Sequence, residues 1–218
     1  MRRTFFEVGG LVAAVVLVAF GVAAIVLGVS GQSTVHNSLA EQKISGTPDM
    51  TPTGIRAEAA KAGLDTATLT IPTCSVANQK VESGSTARCF AQYMKIHALE
   101  ATGGKLYSQM PRYATVTGEG TNEEAKALKG TNGKPEENPA RNVWIEETAL
   151  STALNTSYMA DQVGLFGIVV GVALLLSGFG FAILAIGGAL RNPDTALKFL
   201  NTRERRGGHG TTPAPSGA

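Results

Sequence analysis

Two pairs of residues carry what chemistry this chain offers. His97 and Glu100 stand three apart in a stretch that reads as a helix, so imidazole and carboxylate can touch. Carboxylate-bridged metal sites use a Glu and a His three apart, in the order Glu-x-x-His, the reverse of this one. A histidine packed on a helix face beside a solvated glutamate explains the same residues. No catalytic residue, cofactor or metal is therefore assigned, and His97 with Glu100 is kept as the metal candidate. The second pair is Cys74 and Cys89, the only two cysteines, with 14 residues between them. A disulfide there would stabilise the fold by roughly 3 kcal/mol in the chain-entropy picture; two unpaired buried thiols are the alternative. The sequence contains no Gly-rich phosphate loop, no G-x-S-x-G, no H-E-x-x-H and no C-x-x-C.

The elements that position these residues are set by two apolar blocks. Gln162–Leu190 is free of charge and longer than the about 20 residues that cross a bilayer. Val8–Ser30 is also uncharged. It exceeds the about 7–15 apolar residues of a secretory signal and ends without a small-residue cleavage site. Arg2-Arg3-Thr4-Phe5-Phe6 bears a faint likeness to a twin-arginine export signal, but an uncleaved anchor explains the same residues. We expect transmembrane helices at 9–30 and 162–190.

Charge sets the orientation. The chain has 218 residues and a formal charge of +2, too small to suggest nucleic acid as a partner. Both short ends are basic, through Arg2 and Arg3 at one end and Arg191, Lys198, Arg203, Arg205 and Arg206 at the other. Lys and Arg enrichment marks cytoplasmic flanks. Residues 1–8 and 191–218 are therefore expected in the cytoplasm and 31–161 outside. Neither span holds an ionisable residue, which argues against a proton relay or transporter.

Small residues recur along both spans at helical intervals. Gly21, Ala24 and Gly28 in the first and Gly167, Gly171 and Gly178 in the second are the expected packing positions. Small side chains let helix backbones approach where lipid removes the hydrophobic drive. Two other readings stand beside this one: Gly and Ala are common in spans, and one stripe can pair chains rather than helices of one chain.

Between the spans the sequence reads as mostly helical. The first helix is expected to continue past Gly31 until Ser45-Gly46-Thr47-Pro48 breaks it. Thr51 and Pro52 look like a cap and first position, with Gly63 as the stop. Ala67–Ile71 reads as a short strand or extended segment. Ser85 reads as the cap of a helix over Thr86–Ala101, with Phe90, Met94, His97 and Ala101 on one face. Gly118–Glu137 reads as a mobile exposed loop with one helical turn at Glu123–Leu128. A continuous helix is expected from near Pro139 through the second span, with Trp144 packed in the domain, Glu146 and Glu147 exposed, and Tyr158 and Phe166 at the membrane interface. Asp194–Asn201 reads as a short helix on the inner surface, and the tail from about 207 as disordered.

Three stretches carry a likeness: Leu39–Ile44, Ile96–Gly104, and Ala140–Trp144 running on to Ala153–Tyr158. Together they resemble an uncharacterised family of two-span actinobacterial membrane proteins, often labelled aromatic ring-opening dioxygenase LigA. The label implies Fe(II) held by two His and one carboxylate. On the outer side the only histidines are His36 and His97, with Glu100 as the carboxylate.

The expected fold class is thus a mainly α membrane protein. A two-helix transmembrane hairpin holds an exported, mostly helical domain, and a long helix continues into the second span. The function that fits is a non-catalytic binding or scaffolding component of the cell envelope. Its partners would be the lipid bilayer and an envelope protein, or other copies of itself through the spans. The alternative is a metal-dependent enzyme at His97 and Glu100, and a third reading is a small channel or transport accessory.

Overall fold

A computed structural model describes residues 2–187, with side chains from residue 6. The expected surface helix at Asp194–Asn201, the tail from about 207 and the last residues of the second apolar block lie outside the described residues. The chain is mainly helical. Among the described residues four α-helices run Arg2–Glu41 (α1), Pro52–Lys61 (α2), Gly84–Ala101 (α3) and Pro139–Ile186 (α4). Among the described residues there are isolated β-bridges but no strand.

Two compact units share the long helices. Of the described residues, the first takes 2–28 of α1 and 166–187; the second is Val29–Leu165. Both α1 and α4 are long and apolar enough to cross a membrane, with mean hydropathy of 2.9 and 2.5 in their most apolar windows.

In the first unit the two helices meet on small residues. A Cβ built on Gly21 would fall 2.8 Å from the Gly171 carbonyl oxygen, and one on Gly171 would fall 2.6 Å from Ile25 Cγ1. Gly178 stands against Ala14 and Val18, and Gly167 against Ala24 and Gly28. Rising positions on one helix thus face falling positions on the other. Ala14, Gly21 and Gly28 are buried, as are Gly171, Gly178 and Ala185. Each set repeats every seven residues, the period of a left-handed seam. The remaining faces are apolar and exposed: Phe20 65%, Leu27 73%, Leu176 68% and Ile183 71%.

In the second unit a core forms where four helical pieces converge. Leu39 of α1, Ile55 and Ala59 of α2, Phe90, Tyr93 and Ile96 of α3, and Leu154 of α4 are buried together with Met50, Val76 and Val81. A smaller cluster joins Ala98, Met110 and Trp144. Trp144 is buried, and its indole N–H donates to the Lys105 carbonyl at 2.9 Å.

Local chemistry starts and stops these elements. Thr51 Oγ1 accepts from the Gly54 N–H at 2.9 Å, with Pro52 in the first turn of α2. The helix ends before Gly63, whose φ is +74°, a conformation that glycine adopts without strain. α3 is capped by Ser83 rather than Ser85. Ser83 and Thr86 each accept from the other's backbone N–H, at 3.2 and 3.1 Å. Ser85 falls inside the first turn.

One further expectation is corrected. Ala67–Ile71 is not a strand. The Asp65 carboxylate accepts from the Ala67 N–H at 3.0 Å and so folds the segment into a turn, the local competition that short polar side chains offer to extended backbone. Gly118–Glu137 is mostly exposed, as expected, and isolated bridges and hydrogen bonds cross it. Tyr113 bridges Thr121 and Glu137, and Lys129 bridges Pro135. Leu128 N–H donates to Ala114 and Glu136 N–H to Leu128, at 2.9 and 2.8 Å. A single 3-10 turn occupies Glu124–Lys126.

Candidate functional site

His97 lies in the last turns of α3, on the face next to the core residue Ile96. Its Nδ1 stands 2.9 Å from Glu100 Oε2, as the three-residue spacing requires. Its Nε2 stands 3.2 Å from Asp49 Oδ2. Asp49 is held there by its neighbours. Met50 is buried, its carbonyl accepts from the Val76 N–H at 3.2 Å and from Ser75 Oγ at 3.2 Å, and Thr51 is fixed as the α2 cap. One imidazole therefore separates two carboxylates. Among the described residues, buried Asp49 Oδ2 has the imidazole contact but no formed hydrogen bond, and buried Glu100 Oε1 has no hydrogen-bond partner. A neutral imidazole donates from one nitrogen only, so it serves one carboxylate at a time.

This arrangement does not make a metal centre. The two carboxylates face different nitrogens of one ring, so they do not converge with it on a common point. Among the described residues no group of three His, Cys, Asp or Glu gathers to hold a metal ion. The other histidine among the described residues is occupied elsewhere: His36 Nδ1 lies 2.7 Å from the Glu82 carbonyl oxygen. The two histidines share no partner, and the iron set implied by the dioxygenase label is not assembled.

The disulfide pair sits behind the same helix. Cys74 and Cys89 are at disulfide-bonding distance, with Cα atoms 6.1 Å apart. The Tyr93 hydroxyl, one turn along α3 from Cys89, donates to the Cys74 carbonyl. Burial pushes the Tyr93 phenol above its usual range, and the Asp49 carboxylate adds to the rise. The disulfide segment, Tyr93, Asp49 and His97 thus form one neighbourhood on α3.

Comparison with family models, with curated proteins and with solved structures finds no match. The site must be read from its own residues.

Beside His97, between α3 and α4, lies a cavity of about 310 Å³. Met94 and Leu150, which pack on the larger core, form one end. Ala98 and Val143, from the smaller core, form the other. The cavity marks the seam where the two clusters fail to close. Glu146 and Glu147 also line it. Glu147 was expected to be exposed; it is buried, with only 8% of its surface accessible. Ser151 Oγ donates to its Oε1 at 2.6 Å. The sequence did hold the signal, because Val143, Glu147, Leu150 and Leu154 follow steps of four, three and four, a single helix face. Asp49 had no such signal, since only the fold brings it to His97.

The Arg88 guanidinium stacks on Tyr158, 4.6 Å from its ring centre. Phe166 is exposed.

Proposed function

We propose that the chain is an integral membrane protein of the cell envelope. Its two apolar helices form a transmembrane hairpin with both termini in the cytoplasm, and residues of about 31–161 lie outside as a non-catalytic binding or scaffolding domain. The observation that carries this reading is the apolar surface of the first unit. Its small residues are turned inward and its Phe, Leu, Val and Ile side chains outward. Exposed apolar surface on this scale is unfavourable in water and is matched by hydrocarbon, where a helix satisfies its own backbone. A helix apolar all round belongs in a large core or a membrane.

The domain reading is supported by a cysteine pair at bonding distance, which an oxidising compartment would keep closed. The resemblance to two-span actinobacterial proteins agrees with the topology. Reporter fusions test it. A phosphatase active only outside the cytoplasm should be silent when fused after Ala218 and active when inserted at Gly118. The reverse pattern, or activity at both sites, would overturn the topology. Affinity capture from membranes with the whole chain should then recover an envelope partner or further copies of the chain.

A further inference from the structure

We infer that the cavity between α3 and α4 is a binding site for a small organic cation, a protonated amine carried on an apolar body. Buried glutamates are ordinarily paired with a basic group, because a carboxylate taken out of water loses more solvation than a single neutral hydrogen bond returns. Glu147 is buried and accepts from two hydroxyls, Ser151 at 2.6 Å and Thr148 at 3.5 Å. Among the described residues it has no ion-pair partner. It stands in the wall of a cavity of about 310 Å³, at the lower end of the range for small-molecule sites.

The remaining walls set the ligand's character. Met94, Ala98, Val143 and Leu150 give it apolar sides. The charged side chains lining it are Glu146 and Glu147; among the described residues no Lys or Arg lines it. His97 is the remaining polar group, and Asp49 and Glu100 stand on its ring nitrogens. Among the described residues, the fixed charges that line it or stand on the His97 ring are therefore carboxylates. An anion is repelled. A neutral apolar molecule fills the space but leaves Glu147 without a countercharge. An ammonium on an apolar body does both, with a charge-assisted hydrogen bond to Glu147. The site lies within one compact unit, so the inference stands whether or not the membrane topology does.

The test uses the whole chain in lipid nanodiscs with 13C-methyl methionine. The Met94 signal is assigned by its loss in Met94→Leu. Benzylammonium, benzyl alcohol and benzoate are the probes. Benzylammonium should shift the Met94 methyl saturably, benzyl alcohol should bind more weakly, and benzoate should not bind. Glu147→Gln keeps an acceptor for Ser151 and removes the charge. It should weaken benzylammonium roughly tenfold or more, the worth of one hydrogen bond to a charged group, and leave benzyl alcohol unchanged. That retained benzyl alcohol binding shows the Gln variant is folded, and Val143→Trp, which fills the cavity, should abolish every saturable shift. Equal binding of amine and alcohol, an unchanged amine affinity in Glu147→Gln, or no saturable Met94 shift would overturn the assignment.

Discussion

Gly84, the first residue of α3, lies flush against Asp161 of α4: a Cβ placed on it would sit 2.6 Å from Asp161 Cβ. The next neighbour is the Tyr158 Cα at 2.9 Å, which is backbone and cannot swing aside. Gly84→Ala should therefore force the two helices apart and destabilise the second unit by about 1–3 kcal/mol, the usual cost of overpacking. Thermal unfolding of the purified variant checks this. Gly63→Ala serves as a comparison, because a Cβ there meets no atom and only its left-handed backbone opposes the change.

His97 keeps two carboxylates apart, so its removal should be felt through both. His97→Ala leaves Asp49 and Glu100 with buried oxygens and no intervening ring. A cost of about 1–3 kcal/mol follows from stranding such groups. Asp49→Asn in the same background should recover part of it by removing one charge. A double-mutant cycle on chemical unfolding measures the coupling. Simple additivity of the two changes would show that the ring does not hold the carboxylates together.

Residues that act on their immediate neighbours were readable in the sequence, and those that act across the fold were not. Thr51 and Pro52 start α2 through a hydroxyl, a ring and the next turn, all within four positions. The length of α4 followed from the absence of proline between Pro139 and Ile186. Trp144 was placed in the domain by its distance from the second apolar block, and its bond to Lys105 agrees. The cap of α3 was misplaced because Ser83 pairs with a Thr at the third position, where the sequence signature expects Glu or Gln. Asp49 reaches His97 only once α2 and α3 pack, so no spacing announces it. Glu147 was misread on charge alone, although the helical period put it among Val143, Leu150 and Leu154.

Reduction should weaken the second unit through its loop closure. Cys74 and Cys89 are 15 positions apart, and opening a loop of that size costs about 3 kcal/mol in the chain-entropy account. Protein isolated without reductant should run faster on a non-reducing gel than after reduction. Its unfolding midpoint should fall when dithiothreitol is added, and Cys74→Ser/Cys89→Ser should match the reduced protein.

Tyr93 predicts an alkaline limit. Its folded phenol is raised above the ordinary 10.0, first by burial and then by Asp49. The folded state thus holds the proton that the unfolded chain releases. The stability linked to this group is complete below pH 10 and is lost as pH rises through the raised folded value. Melting temperatures at pH 8, 9, 10 and 11 should fall at the top of the series. Tyr93→Phe loses the bond to the Cys74 carbonyl and should start lower, but its decline above pH 10 should be shallower. Parallel curves would remove Tyr93 as the cause.

Gly171 and Gly180 lie on the same helix in opposite circumstances. A Cβ on Gly171 would meet Ile25 at 2.6 Å and the Gly21 carbonyl at 2.7 Å, whereas a Cβ on Gly180 meets nothing within 4 Å. Glycine in a helix interior costs about 1 kcal/mol relative to alanine. Gly180→Ala should therefore be neutral or mildly stabilising. Gly171→Ala has the same intrinsic gain but must push α1 and α4 apart, so it should be destabilising, and Gly171→Leu more so. The contrast in sign separates close backbone packing from a mere abundance of glycine. Heat-induced aggregation of the reconstituted variants reads it directly. If Gly171→Ala behaved like Gly180→Ala, the seam through Gly21 and Gly171 would not be what joins the two helices.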